Sequence, residues 1–135
     1  EGVCQNPRYR QQISDFESRM YLPPKDVEQY LQNNPDKPFI ECEYMHSMGN
    51  SVGGMKAYMD LIKKYPTYCG GYIWDFIDQA LQVYDSISGR DVMRYGGDFD
   101  DRHTDGDFSG DGLMFANRKP TPAMQEVKYY YGQFK

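Results

Sequence analysis

Two glutamates, Glu41 and Glu43, lie in the run Pro38-Phe39-Ile40-Glu41-Cys42-Glu43-Tyr44-Met45-His46-Ser47-Met48-Gly49-Asn50-Ser51. Paired carboxylates can divide the work of cleaving a glycosidic bond, one as acid and one as nucleophile, but the spacing here argues against that division. Alternate residues of a strand point the same way, with Cα atoms about 6.6 Å apart. A retaining pair instead converges from different elements on opposite faces of one bond, with carboxyl groups about 5 to 5.5 Å apart. Glu43, at the strand's C-terminal end, stands where α/β folds place their chemistry. Glu41, one layer deeper on the same face, is expected to pair with an Arg or Lys, since a buried unpaired carboxylate is costly. His46 follows in the loop above, where an imidazole either bonds sugar hydroxyls or is simply satisfied by the loop. Trp74, the single Trp, can stack on the C–H face of a pyranose or pack in a core. The Asp-rich run 98 to 111 suggests a calcium loop but fails the template. With Asp101 first and Gly106 sixth, the twelfth position is Gly112 and not Glu.

The elements that must hold these residues can be read from periodicity and punctuation. Phe39 to Tyr44 reads as a buried strand, with Glu41 and Glu43 on one side and Ile40, Cys42 and Tyr44 on the other. Asn50-Ser51 is expected to cap a helix through Lys64, with Gly53-Gly54 in its first turn and Met55, Tyr58, Met59, Leu61 and Ile62 as its apolar stripe. Close approach to a neighbouring strand would explain the glycine pair. Gly70-Gly71 then leads into a second strand, Tyr72 to Asp75, and a crossover of this length implies parallel pairing. Before the first strand, residues 1 to 19 read as an irregular lead-in with one helical turn, and Met20-Tyr21-Leu22 as a short extended piece. Pro24 opens a helix with Val27, Tyr30 and Leu31 on one face. Leu81 to Tyr84 and Val92 to Tyr95 form a two-stranded excursion, 96 to 112 a long Gly/Asp-rich loop, and Thr121-Pro122 caps a last helix to Tyr131.

Composition bounds the function. The 135 residues have the length of one ordinary domain, no second domain is expected within them, and 39% apolar content is modest. A net charge of -5 without a Lys/Arg cluster argues against nucleic acid and anionic membranes. No run approaches the roughly 20 apolar residues of a membrane span. Three cysteines, Cys4, Cys42 and Cys69, lack ligand spacing and suggest reduced thiols in a cytoplasmic protein. Thirteen tyrosines suit half-buried positions or the lining of a sugar site.

The segment from Cys42 to Ser51 resembles the nucleophile segment of beta-galactosidases of glycoside hydrolase family two, Cys-Glu-Tyr-x-His-x-Met-Gly-Asn-Ser, at every fixed position. Related motifs follow in Gly70 to Gln79, Tyr95 to Phe99 and Asp111 to Arg118, so that the likeness runs in order from about Met20 onward. Beta-glucuronidases and beta-mannosidases share the fold but are not expected to carry the Met-Gly-Asn-Ser run.

The resemblance implies a partial (β/α)8 TIM barrel, made of about strands seven and eight with their helices and a long excursion before the eighth helix. A whole barrel takes about 250 residues. It further implies a retaining glycosidase for terminal beta-D-galactosides, lactose among them, with Glu43 as nucleophile. His46, Trp74 and Tyr21 would contact or flank the sugar, and a cis peptide is expected between Trp74 and Asp75. A sodium ion would be held by the Phe108 carbonyl and the Asp111 side chain, where the family often has Asn. The family's general acid/base on strand four and its magnesium ligands match nothing in this chain. Partners would therefore be a galactoside and the remainder of the barrel, and an open sheet edge could also be covered by forming a homo-oligomer. The alternative is one chain of a split enzyme or an inactive piece serving assembly, and a third is a small calcium-binding domain.

Overall fold

The computed structural model describes Tyr9, 12–106 and 108–134. Its centre is a parallel sheet of β1 (Glu17–Met20), β2 (Phe39–Tyr44) and β3 (Tyr68–Ile73), in the order β1-β2-β3. Helix α1 (Pro24–Gln32) links the first two strands and α2 (Met55–Lys64) the second pair. An antiparallel hairpin, β4 (Leu81–Asp85) and β5 (Arg90–Arg94), follows, and α3 (Ala123–Tyr131) comes last.

The sheet has one more strand than periodicity indicated. Glu17 to Arg19, expected in the irregular lead-in, pairs with β2 from Phe39 to Glu41. Four mixed residues carry too little alternation to be distinguished from a loop, and it is the neighbouring strand that makes them extended. Of the lead-in 1 to 19 expected to hold one helical turn, residues 1–8, 10 and 11 lie outside the described residues, Cys4 among them. Neither Cys42 nor Cys69 is joined in a disulfide.

Apolar residues on one side of the sheet meet the helices in two clusters. Val27, Leu31, Phe39, Leu61 and Tyr68 form the first, and Tyr44, Met45, Met55, Met59, Leu113 and Val127 the second. The outer edges of β1 and β3 pair with no other named strand, and Tyr72 and Phe76 remain well exposed.

Several glycines and caps act differently from expectation. Helix α2 starts at Met55, behind Gly54 in the left-handed region at φ 74°. Gly53 and Gly54 thus precede the helix, and a Cβ on either would meet nothing within 4 Å. Backbone conformation at Gly54, and not close packing, explains the pair. Ser51 does not cap the helix; its hydroxyl donates to the carbonyls of His46 and Met48 and closes that loop. Thr121 likewise donates to the Leu113 carbonyl, and α3 has no side-chain cap.

The second strand begins at Tyr68, so Gly70-Gly71 lies inside it and does not lead into it. Gly70, at φ 89°, occupies a register shift between Phe39↔Tyr68 and Glu41↔Gly71. A Cβ on Gly71 would come within 2.9 Å of the Glu41 Cβ and 3.0 Å of Tyr44 Cδ1. Bare backbone is what allows β3 to pass over these two side chains.

Beyond β3 the chain returns to pair with itself. Asp75 N–H donates to the Asp111 carbonyl at 2.8 Å and Leu113 N–H to the Asp75 carbonyl at 2.9 Å. A Cβ on Gly112 would fall 2.1 Å from the Asp78 nitrogen. Gly112→Ala is therefore expected to break this pairing and destabilise the protein by about 3 kcal/mol or more. Thermal melting checks this, and an unchanged melting temperature would refute it.

Candidate functional site

A bulge in β2 sets the geometry of the site. Against β1, the pairs Arg19↔Glu41 and Met20↔Glu43 take one step on β1 and two on β2. Against β3, Glu41↔Gly71 and Tyr44↔Ile73 take two steps on β3 and three on β2. Both neighbours thus count one extra residue after Glu41. An extra residue reverses the alternation. Glu41 and Tyr44 consequently share the helix side, both facing the position where Gly71 has no side chain. Glu43 is turned away from Glu41, which corrects the expectation that the two share a face.

Glu41 is completely buried. Its Oε2 accepts from the Tyr68 hydroxyl at 2.9 Å and its Oε1 from the Leu22 N–H at 3.0 Å. Its partners are a phenol and a peptide, where an Arg or Lys was expected, and it lies under the helices and not on Glu43's side of the sheet. Burial pushes its carboxyl up from 4.5 to about 7, against the opposing pull of those two hydrogen bonds.

Glu43 meets Tyr21. The Tyr21 N–H donates to the Glu43 carbonyl at 2.8 Å. Burial first, then the neighbouring Glu43 carboxylate, hold the Tyr21 phenol well above its ordinary range. The His46 ring lies 5.8 Å from that of Tyr21 on one side and 5.8 Å from that of Phe108 on the other. Trp74 follows β3 directly and shares a cis peptide bond with Asp75. Its N–H donates to the Tyr44 carbonyl at 3.3 Å and its carbonyl accepts from Ser47 at 2.9 Å.

The indole Nε1 of Trp74 donates to Asp111 Oδ2 at 2.8 Å. Asp111 is buried, and its Oδ1 has no hydrogen-bond partner. An orphaned buried carboxylate oxygen needs a donor or a cation. Its backbone carbonyl accepts from the Ser47 hydroxyl, which joins the loop after β2 to the segment after the hairpin. Tyr21, Glu43, His46, Trp74, Phe108 and Asp111 thus form one connected group at the C-terminal ends of the parallel strands. Sequence reading missed Ser47 and Tyr68; neither carries a periodicity or motif that separates it from an ordinary loop or core residue.

Among the described residues no group of three or more His, Cys, Asp or Glu side chains is arranged to hold a metal. None of the helices described is long and apolar enough to cross a membrane.

The family described as glycosyl hydrolases family 2, TIM barrel domain, matches residues 1–135. The chain is 70% identical to the beta-galactosidase large subunit of Lactobacillus helveticus over 135 residues, all of this chain and 22% of that protein. It is 56% identical to the beta-galactosidase of Halalkalibacterium halodurans, again over all of this chain but 13% of that protein. Among solved structures, Faecalibacterium prausnitzii beta-glucuronidase superposes with a TM-score of 0.55 at 18% identity, covering 97% of this chain and 24% of that one. The chain therefore spans about a fifth of the length of the large subunits it matches. With a family match over every residue and a strand-helix sheet of the corresponding kind, the chain belongs to the TIM barrel domain family of the family 2 glycosyl hydrolases.

Proposed function

We propose that this chain forms the last strands of a beta-galactosidase catalytic barrel and supplies the nucleophile of a retaining hydrolysis. In this reading β2 and β3 are strands seven and eight and β1 is strand six. The observation that carries it is the bulge that lifts Glu43 out of the helix seam and presents it to Tyr21 and His46. The Glu43 carboxylate attacks the anomeric carbon as the aglycone leaves with a proton from a general acid. Water then releases the sugar from the glycosyl ester. That acid comes from strand four, outside these residues. Tyr21 steadies the carboxylate, while His46 and Trp74 hold the sugar. The relatives named large subunit favour a two-subunit enzyme, so a second, smaller chain and the rest of the barrel are the partners proposed.

A sodium ion fits the unpartnered Oδ1 of Asp111, with Phe108 supplying a carbonyl. When bound, the ion would neutralise charge beside the sugar site. Asp111→Ala is expected to raise the half-saturating sodium concentration for KM by about tenfold or more, since a ligand oxygen is lost. A sodium titration at constant ionic strength measures this, and an unaltered profile would remove Asp111 from the site.

The decisive experiment is peptide mapping by mass after incubation with a 2-deoxy-2-fluoro-galactoside carrying a dinitrophenyl leaving group. The adduct is expected on Glu43 in the complete enzyme. An adduct on another residue would overturn the assignment.

A further inference from the structure

Both backbone polar groups of Leu22 are held by side chains from the helix side of the sheet. Its N–H donates to Glu41 at 3.0 Å, and its carbonyl accepts from the Tyr58 hydroxyl at 3.1 Å. Tyr21, the residue before it, has φ 53°, in the left-handed region. A tyrosine adopts that conformation only where its surroundings hold it. One hold is its own N–H on the Glu43 carbonyl, and the other is the next peptide's N–H on Glu41. The bulge in β2 makes this double hold geometrically possible, because it places Glu41 on one face of the strand and Glu43 on the other.

We propose that Glu41 is a positioning residue: its carboxylate anchors the Leu22 peptide and thereby sets the Tyr21 phenol against Glu43. The inference rests on the reading of Glu43 as nucleophile. Glu41 does not itself reach the sugar side of the sheet. The titratable groups that interact with it are Tyr44 from β2, Tyr58 from α2 and Tyr68 from β3, each a phenol that raises no competing positive charge. Tyr68 occupies the second carboxylate oxygen, so the acceptor facing Leu22 is fixed in direction as well as in place.

The test is a double-mutant cycle in the complete enzyme, read as kcat on an aryl galactoside. Glu41→Leu removes both acceptors and is expected to lower kcat by about 10- to 100-fold, the scale of an ångström of misplacement. In the Tyr21→Phe background the same substitution should cost less than about threefold, because the hydroxyl being positioned is already gone. Glu41→Gln keeps an oxygen for Leu22 and an N–H for the Tyr68 oxygen, and should stay within about twofold of the parent. A purely structural glutamate would give losses that multiply in the double variant, and that result overturns the proposal. So would a Gln variant as slow as the Leu variant, or a Leu variant as fast as the parent. If Glu41→Leu does not fold, Tyr68→Phe frees one carboxylate oxygen at nearly constant volume and runs through the same cycle with the same two outcomes. Labelling of the parent enzyme separates the two levels of failure. Multiplying losses with a labelled Glu43 sink the positioning role alone, whereas an unlabelled Glu43 sinks the underlying reading and the positioning role with it.

Discussion

Replacing Glu43 by Gly in the complete enzyme is expected to lower kcat on a nitrophenyl galactoside by about 10⁴-fold or more, and added azide to restore product formation as an α-galactosyl azide. The magnitude follows from losing the group that forms the covalent intermediate. A glycine in its place leaves room for a small anion on the same face of the sugar. Azide then forms the bond to the anomeric carbon while nitrophenolate departs, so a single inversion replaces the usual two. The leaving group needs little acid assistance, which isolates the nucleophile's contribution. Product configuration, read by the anomeric proton coupling in NMR, is the measurement. A β-configured azide, or a variant that hydrolyses the substrate near the parent rate, would rule out Glu43 as nucleophile.

The second large effect concerns stability and comes from the other glutamate. Burial holds the Glu41 proton to about pH 7 in the native state, whereas a solvated glutamate loses it near 4.5. Between those values the native state binds more protons than the unfolded one, so stability is full below 4.5 and falls as pH rises through 7. The loss amounts to about 3 kcal/mol, since each pH unit between the two values contributes about 1.4 kcal/mol. Glu41→Gln keeps the acceptor for Leu22 but cannot ionise. Its melting temperature relative to the parent is therefore expected to rise from pH 4.5 onward and level off above pH 7. Melting curves of both proteins across pH 4 to 9 test this, and a constant difference over that range would contradict it. With this outcome, a change that leaves turnover nearly intact would also stabilise the enzyme at neutral pH, because the cost of burying the Glu41 charge outweighs what its two hydrogen bonds gain on ionisation.

Local chemistry made much of the architecture legible. The stripe from Met55 to Ile62 can only be satisfied by a helix on a core, and Met55, Met59 and Leu61 are indeed buried. Pro24 begins α1 at the first-turn position that suits it, and Asp85 to Arg90 turns the hairpin. Where reading failed, the determinant lay elsewhere in the chain. Ser51 and Thr121 have cap-forming side chains, but each finds a nearby carbonyl and leaves the helix start to backbone geometry. Gly70-Gly71 looks like a break in sequence. It serves inside a strand, because Glu41 and Tyr44 from the neighbouring strand occupy the space a side chain would need.

The sequence by itself determined the order of strand and helix units, the position of Glu43 at a strand end and the set of residues that gather around it. The first two follow from periodicities and turn signals that act within a few residues, whereas the surrounding set, Tyr21, His46, Trp74, Phe108 and Asp111, is what the family resemblance implies. Only the tertiary structure decided that Glu17 to Met20 is a strand, that Glu41 lies among phenols under the helices, and that Glu43 is on the opposite side. The physical reason is the bulge after Glu41. Whether a strand carries an extra residue depends on how two neighbours pair with it, and one shifted pairing reverses every side chain beyond it.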